Sequence, residues 1–174
     1  VEHMLFKGTP SLPKQELKRM IERNGGQWDG FTGSDFTCYF ENLPSEKIEL
    51  ALRLEADRMR NSIFDKDEVE AERTVILSER EGAENRPQFL LSEEVQAAAY
   101  KAHPYRWGTI GWRSDLQSIT RDDLYDYYRA YYAPNNATLV LVGDFSTERI
   151  LERVYEHFEQ IPAGEPVPKP TTVE

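Results

Sequence analysis

The sequence predicts an α+β domain in which helices pack on one face of a small sheet. Three observations carry this. Six stretches have helical length and helical apolar spacing, and three have the length and composition of strands. At 174 residues the chain is one domain's worth, long enough to bury a real core.

Taken in order, Pro13 to Arg23 reads as a helix, with Ser11 as its cap and Gly25-Gly26 as its stop. Trp28 to Thr32 and Asp35 to Glu41 read as two short strands joined at Gly33-Ser34, a hairpin. Helices follow over Ser45 to Asn61, Lys66 to Glu84 and Phe89 to Lys101. Asp122 to Tyr132 is a further helix, ended by Pro134, which disfavours helical backbone just before it. Ala137 to Val142 is a near-continuous apolar run of strand length, closed by Gly143-Asp144. Glu148 to Gln160 is amphipathic helix, and from Ala163 onward the Pro-rich composition is that of a linker.

Composition excludes several classes of function. The net charge is −10, from 21 basic and 31 acidic residues, which argues against a phosphate-binding surface and so against a nucleic-acid partner. No apolar run approaches the roughly 18 residues a membrane-spanning helix needs. A single cysteine, Cys38, excludes an intrachain disulfide, fixes no compartment and reads as a packed thiol. His103 precedes a proline and reads as structural. His157 lies on a charged helix with Glu156 and Glu159 and is given no role.

Two places carry chemistry. Glu2-His3 has the last two letters of H-x-x-E-H, in which two histidines stand on one helix face. The first histidine of that motif falls before Val1, outside this chain. On the helix from Lys66, Val69, Glu72, Ile76, Glu79 and Ala83 recur at spacings of three and four, so two carboxylates share an otherwise apolar stripe. A buried carboxylate needs a cation, a donor or a metal. Otherwise the two lie at the stripe's edge and pair with Arg73, Arg80 or solvent. Seven residues of helix separate their Cα atoms by about 10 Å, whereas two oxygens on one zinc ion are at most about 4 Å apart. Their side chains lean the same way, so only one of the two binds an ion. Glu68, Glu70, Glu81 and Glu84 read as a solvated face.

Five stretches resemble the pitrilysin/insulinase family of zinc peptidases with the inverted motif. They are VEHMLFKGTP; Gly25-Gly26-Gln27-Trp28-Asp29-Gly30-Phe31-Thr32 with Asp35 to Phe40; Glu72-Arg73-Thr74-Val75-Ile76-Leu77-Ser78-Glu79; His103-Pro104-Tyr105 with Ile110-Gly111; and Tyr131 to Ala137 running into Leu139 to Asp144. Their order and spacing span nearly the whole chain. The resemblance implies a mainly antiparallel sheet, and a half-domain like those of bacterial processing-peptidase-like members, with its opening strands missing. It implies Zn²⁺ as cofactor, His3 and Glu79 as metal ligands, and Glu2 as the catalytic general base. Glu72 becomes the outer carboxylate that orients a ligand.

The same resemblance makes Asp29, Gly30, Phe31 and Thr32 a substrate-binding edge that pairs with an extended peptide. Asp29-Gly30 stands where the family has Asn-Ala, keeping a small residue and adding a negative charge. Residues 1–162 are then a zinc-peptidase half-domain truncated at its N-terminus, and 163–174 a linker towards a second half. The implied activity is metalloendopeptidase cleavage of peptides or unfolded polypeptides. The implied partner is a homologous second half, on the same chain or as a subunit, without which this chain is inactive. The alternative is a non-catalytic scaffold or partner subunit of the same fold.

Overall fold

A computed structural model describes residues 1–168 and 171–174. The architecture is α+β, with seven α-helices and one two-stranded antiparallel sheet among the described residues. Helix α1 spans Lys14–Arg23 and buries Leu17 and Ile21, one turn apart on its inner face. Ser11 does not cap it. Its hydroxyl and that of Thr9 both donate to Asp57 Oδ2, at 2.6 and 2.5 Å, which ties the opening loop to α2 (Ile48–Asn61). Pro13 takes the cap position instead. After α1 the chain turns at Gly25, whose φ of +74° only glycine adopts freely.

Strands β1 (Gln27–Thr32) and β2 (Thr37–Asn42) pair from Gln27↔Asn42 to Thr32↔Thr37. The turn is longer than Gly33-Ser34, because Gly33 N–H donates to Phe36 O across it, so β2 begins two residues later than expected. α1 and the turn at Glu2–Phe6 pack on β1. A 3₁₀ turn, Ser45–Lys47, leads into α2.

Helix α3 (Lys66–Glu84) has the expected bounds and is capped by Asp65, which accepts from the backbone N–H of Asp67 and Glu68. Helix α4 (Pro87–Ala99) opens with proline at its first position, where a missing N–H costs nothing. A short helix the sequence reading missed, α5 (Arg113–Ser118), packs on α3. Helix α6 (Arg121–Tyr131) starts from a reciprocal cap between Thr120 and Asp123, and α7 (Thr147–Phe158) from Ser146.

Two apolar clusters hold these elements. Met4, Leu5, Phe64, Val69 and Tyr128 join the opening turn to α3 and α6, and Leu17, Ile21 and Leu54 join α1 to α2. Tyr128 also closes the end of α2: its hydroxyl accepts from Ser62 N–H at 3.2 Å and lies 2.9 Å from the carbonyls of Arg58 and Met59.

The strand expected over Ala137 to Val142 does not form. Val140 and Val142 are 74% and 92% exposed. A strand needs a neighbour for its backbone groups, and among the described residues this segment has none. Of the linker expected over 163–174, Lys169 and Pro170 lie outside the described residues. Gly164 is held rather than free: its N–H donates to Asn135 Oδ1 at 2.8 Å and its carbonyl accepts from Asn135 Nδ2 at 3.1 Å.

Candidate metal centre

The opening turn is a 3₁₀ helix, Glu2–Phe6, rather than the end of an α-helix. Met4 N–H bonds to Val1 O and Lys7 N–H to Met4 O, each to the carbonyl three positions back, as a 3₁₀ turn requires. Burial of Met4 and Leu5 anchors the turn, and Glu2, His3, Phe6 and Lys7 line an open cleft of about 840 Å³. Trp28 and Asp29 of β1, Phe40 of β2, and Glu72 and Glu79 of α3 line the same cleft.

Within it, His3 Nδ1 and Glu72 Oε1 are 2.6 Å apart. Glu72 is only 9% exposed and takes a second partner, the Lys7 ammonium, on its other oxygen. Burial works to raise the Glu72 carboxyl pKa. Hydrogen bonds from Lys7 and His3, with the charges of both, outweigh it and hold the group below the usual carboxylate value. Glu72 is therefore an anion at neutral pH. It accepts the proton of Nδ1, which leaves the lone pair of a neutral His3 ring on Nε2.

Glu79 differs from Glu72. It is exposed at the cleft rim, and among the described residues it makes no hydrogen bond or ion pair. The expected stripe is thus shifted: Arg80, not Glu79, is its buried member. At 100° per residue, Glu79 falls about 60° from the stripe's centre and Arg80 about 40° from it. Arg80 bonds Glu93, Glu84 and Gly111 O. Nor are Glu68 and Glu84 merely solvated, since Glu68 holds Lys14 at 2.7 Å and Glu84 meets both Arg80 and Arg113.

Thr32, expected on the peptide-binding edge, donates its hydroxyl to Oε2 of Glu2, the expected base. Asp29 lines the cleft and accepts the N–H of Gly30 at 2.8 Å. Gly30 and Phe31 are not among the lining residues. A Cβ on Gly30 would come within 3.1 Å of both Phe6 and Tyr39, which explains the small residue there. Phe31 is half exposed and meets Phe36 edge-on. Trp28 packs against Phe6, with ring centroids 4.8 Å apart.

Beneath the cleft lies a group that sequence reasoning missed. The Arg58 guanidinium is 1% exposed, bonds Glu41 at 2.9 Å and Glu55, and sits over the rings of Phe6, Trp28 and Tyr39. Its signal was Arg58 three residues after Glu55 in a helix whose neighbours, Leu52, Leu54 and Ala56, are apolar. Lys7 was legible too, one turn after His3 on the same face. The remaining candidates are local. His103 caps the turn Pro104–Arg106, His157 pairs with Glu49 at 2.6 Å, and the Cys38 thiol is partly buried.

The family model described as insulinase (peptidase family M16) matches residues 1–111, well over half of the chain. The chain belongs to the insulinase family. A second model, described as the peptidase M16 inactive domain, matches residues 118–174. Zinc protease PqqE of Helicobacter pylori is 33% identical over 92% of this chain and 36% of its own length. The mitochondrial-processing peptidase subunit beta of Neurospora crassa is 30% identical over 96% of this chain and 35% of its length. A crystal structure of a protease from Helicobacter pylori superposes with a TM-score of 0.93 at 32% identity, covering 97% of this chain and 41% of that one. The chain thus spans about a third of the length of the relatives it matches.

A zinc ion is implied for the family by the names of such relatives. His3 and Glu79 line the same cleft, and an imidazole nitrogen and an unpaired carboxylate are donor types that zinc takes. Among the described residues no three His, Cys, Asp or Glu side chains stand close enough to share an ion. No helix among them is long and apolar enough to cross a membrane.

Proposed function

We propose that this chain is part of a zinc-dependent metalloendopeptidase that cleaves peptides or unfolded polypeptides. The observation that carries the reading is the 2.6 Å contact between His3 Nδ1 and Glu72, on a cleft that also holds Glu2 and Glu79. His3 and Glu79 hold the ion, with a third ligand from outside this chain. When bound, zinc lowers the pKa of a water to about 7 and polarises the scissile carbonyl. Glu72 orients His3 and fixes its tautomer. Glu2, steadied by Thr32, takes the proton of the attacking water and passes it to the leaving amine. Asp29 stands beside the substrate backbone, with Gly30 to Thr32 continuing the edge on which that backbone pairs.

Residues 1–162 make up the zinc-binding half in this reading, and the segment from 163 leads to a homologous second half that closes over the substrate and excludes water. The match to an inactive-domain model and the third of the relatives' length that the chain spans both fit a larger protein. On its own the chain, with two of three ligands, is expected to cleave nothing. A second reading, a non-catalytic partner of the same fold, is favoured by the match of residues 118–174 to the inactive-domain model.

Zinc analysis and peptide cleavage by the full-length protein, beside its Glu2→Gln and Glu79→Gln variants, separate the two. The peptidase reading expects one zinc in the parent, loss of zinc with Glu79→Gln, and retained zinc with about 10²–10⁴-fold slower cleavage with Glu2→Gln. A parent protein that binds no zinc and cleaves nothing is the non-catalytic partner.

A further inference from the structure

The corner that follows α4 holds a bound carboxylate. After Ala99 the backbone leaves the helix, with Tyr100 at φ −111° and ψ 108°. The next three N–H groups have no helix or ladder to enter, and all three converge on the Glu174 side chain. Lys101 N–H donates to Oε1 at 2.6 Å, and Ala102 and His103 N–H donate to Oε2 at 3.1 and 3.0 Å. Successive N–H groups that converge in this way form a concave anion site.

The corner is also braced by contacts that do not involve the carboxylate. Arg106 Nη1 donates to Lys101 O at 2.8 Å, and Arg106 N–H to His103 O at 3.1 Å. Tyr105 N–H donates to His103 Nδ1 at 3.2 Å. Tyr100, His103 and Tyr105 form a mutual aromatic cluster, the tightest pair being His103 and Tyr105 at 4.4 Å. The corner also reaches the cleft's hairpin, because the Tyr105 hydroxyl donates to Asp35 Oδ1 in the β1–β2 turn at 2.6 Å.

We propose that Lys101–His103 is a carboxylate-binding nest, that Glu174 is its ligand, and that their union ties the Pro-rich segment that begins at Ala163 to the corner that steadies the hairpin turn. The three hydrogen bonds also hold the Glu174 carboxyl below its ordinary pKa, so it enters the nest as the anion. Held on the same chain, the carboxylate competes at high effective concentration with free anions. A glutamine offers one acceptor oxygen and sets an NH₂ against the remaining N–H groups, so it cannot replace the carboxylate.

Hydrogen exchange read by mass spectrometry on the full chain tests this, and neither activity nor metal enters the measurement. Glu174→Gln is expected to speed exchange about tenfold in peptides covering 100–106, and to a smaller degree in those covering 33–36. Tyr105→Phe is expected to speed exchange at 33–36 while leaving 101–103 protected. A blocked Thr-Thr-Val-Glu peptide at millimolar concentration should restore protection to the Glu174→Gln protein, and its Gln counterpart should not. Unchanged exchange at 100–106 in Glu174→Gln, or equal rescue by both peptides, overturns the nest. Faster exchange at 100–106 with none at 33–36 overturns the link to the hairpin.

Discussion

Replacing Arg58 with methionine should be the most damaging single change in this chain, and the structure says by how much. Arg58 is 1% exposed and its guanidinium bonds Glu41, itself 6% exposed, and Glu55. Removing one partner of a buried ion pair leaves uncompensated charge and costs about 3–5 kcal/mol. At about 2–4 °C per kcal/mol for a domain of this size, the melting temperature should fall by about 6–20 °C. Glu41→Gln should behave differently. Burial, then a hydrogen bond and charge from Glu55, push the Glu41 carboxyl up to about 9 against a lesser opposing pull from Arg58. One guanidinium faces two carboxylates, so the pair keeps a proton at neutral pH, and an amide in place of Glu41 should cost under about 1 kcal/mol. The raised pKa also sets a pH dependence. Its contribution is complete below the unfolded value of 4.5 and is lost as pH rises towards 9, because only the folded state holds the proton in that window. The slope is at most about 1.4 kcal/mol per pH unit for one proton, and Glu41→Gln should flatten it. Urea and thermal melts from pH 5 to 9 measure all three quantities. An Arg58→Met protein within about 2 °C of the parent, or Glu41→Gln as costly as Arg58→Met, would refute the reasoning.

Other outcomes follow from single contacts. Tyr128→Phe strands the Ser62 N–H that bonds its hydroxyl, and should cost about 1–3 kcal/mol in urea unfolding. Glu72 has a depressed pKa, so its contribution is present above the unfolded value of 4.5 and lost as pH falls through the folded one. Glu72→Gln should therefore shrink the acid-induced loss of stability, as seen by circular dichroism between pH 5 and 2. Val140→Lys with Val142→Lys should lower self-association in sedimentation velocity while changing stability by under about 0.5 kcal/mol, since both side chains are exposed.

Local pattern made most helices legible, because burial of one face imposes its period on the sequence. The bounds of α3, Lys66 and Glu84, could be read directly. What the sequence could not show depended on distant partners. Ala137 to Val142 has the letters of a strand, but strand formation is a property of pairs. Glu79 and Arg80 are neighbours in sequence, and which one turns inward depends on Glu93 and Gly111, supplied by other segments. Arg58 drew no notice in the sequence, because only the three rings brought over it by the opening turn and the hairpin make it a buried cation. At the candidate site, Glu2, His3, Glu72 and Glu79 were legible from motif letters. The Thr32 hydroxyl on Glu2 was not, because it needs the register of β1 against the opening turn.

The stretch over Ala137 to Val142, which pairs with no strand among the described residues, should be among the first parts of this chain to open. Beyond it, α7 rejoins the body through α2, by burial of Ile150 and by Glu49, which meets both His157 and Arg153. Glu49 and Arg153 are half exposed, and such pairs contribute little. Helix α7 can therefore lift away in a sub-global opening while both apolar clusters stay folded. A protease should cut first between Ala137 and Gly143, and the portion ending near Asn136 should keep its melting transition after α7 is gone.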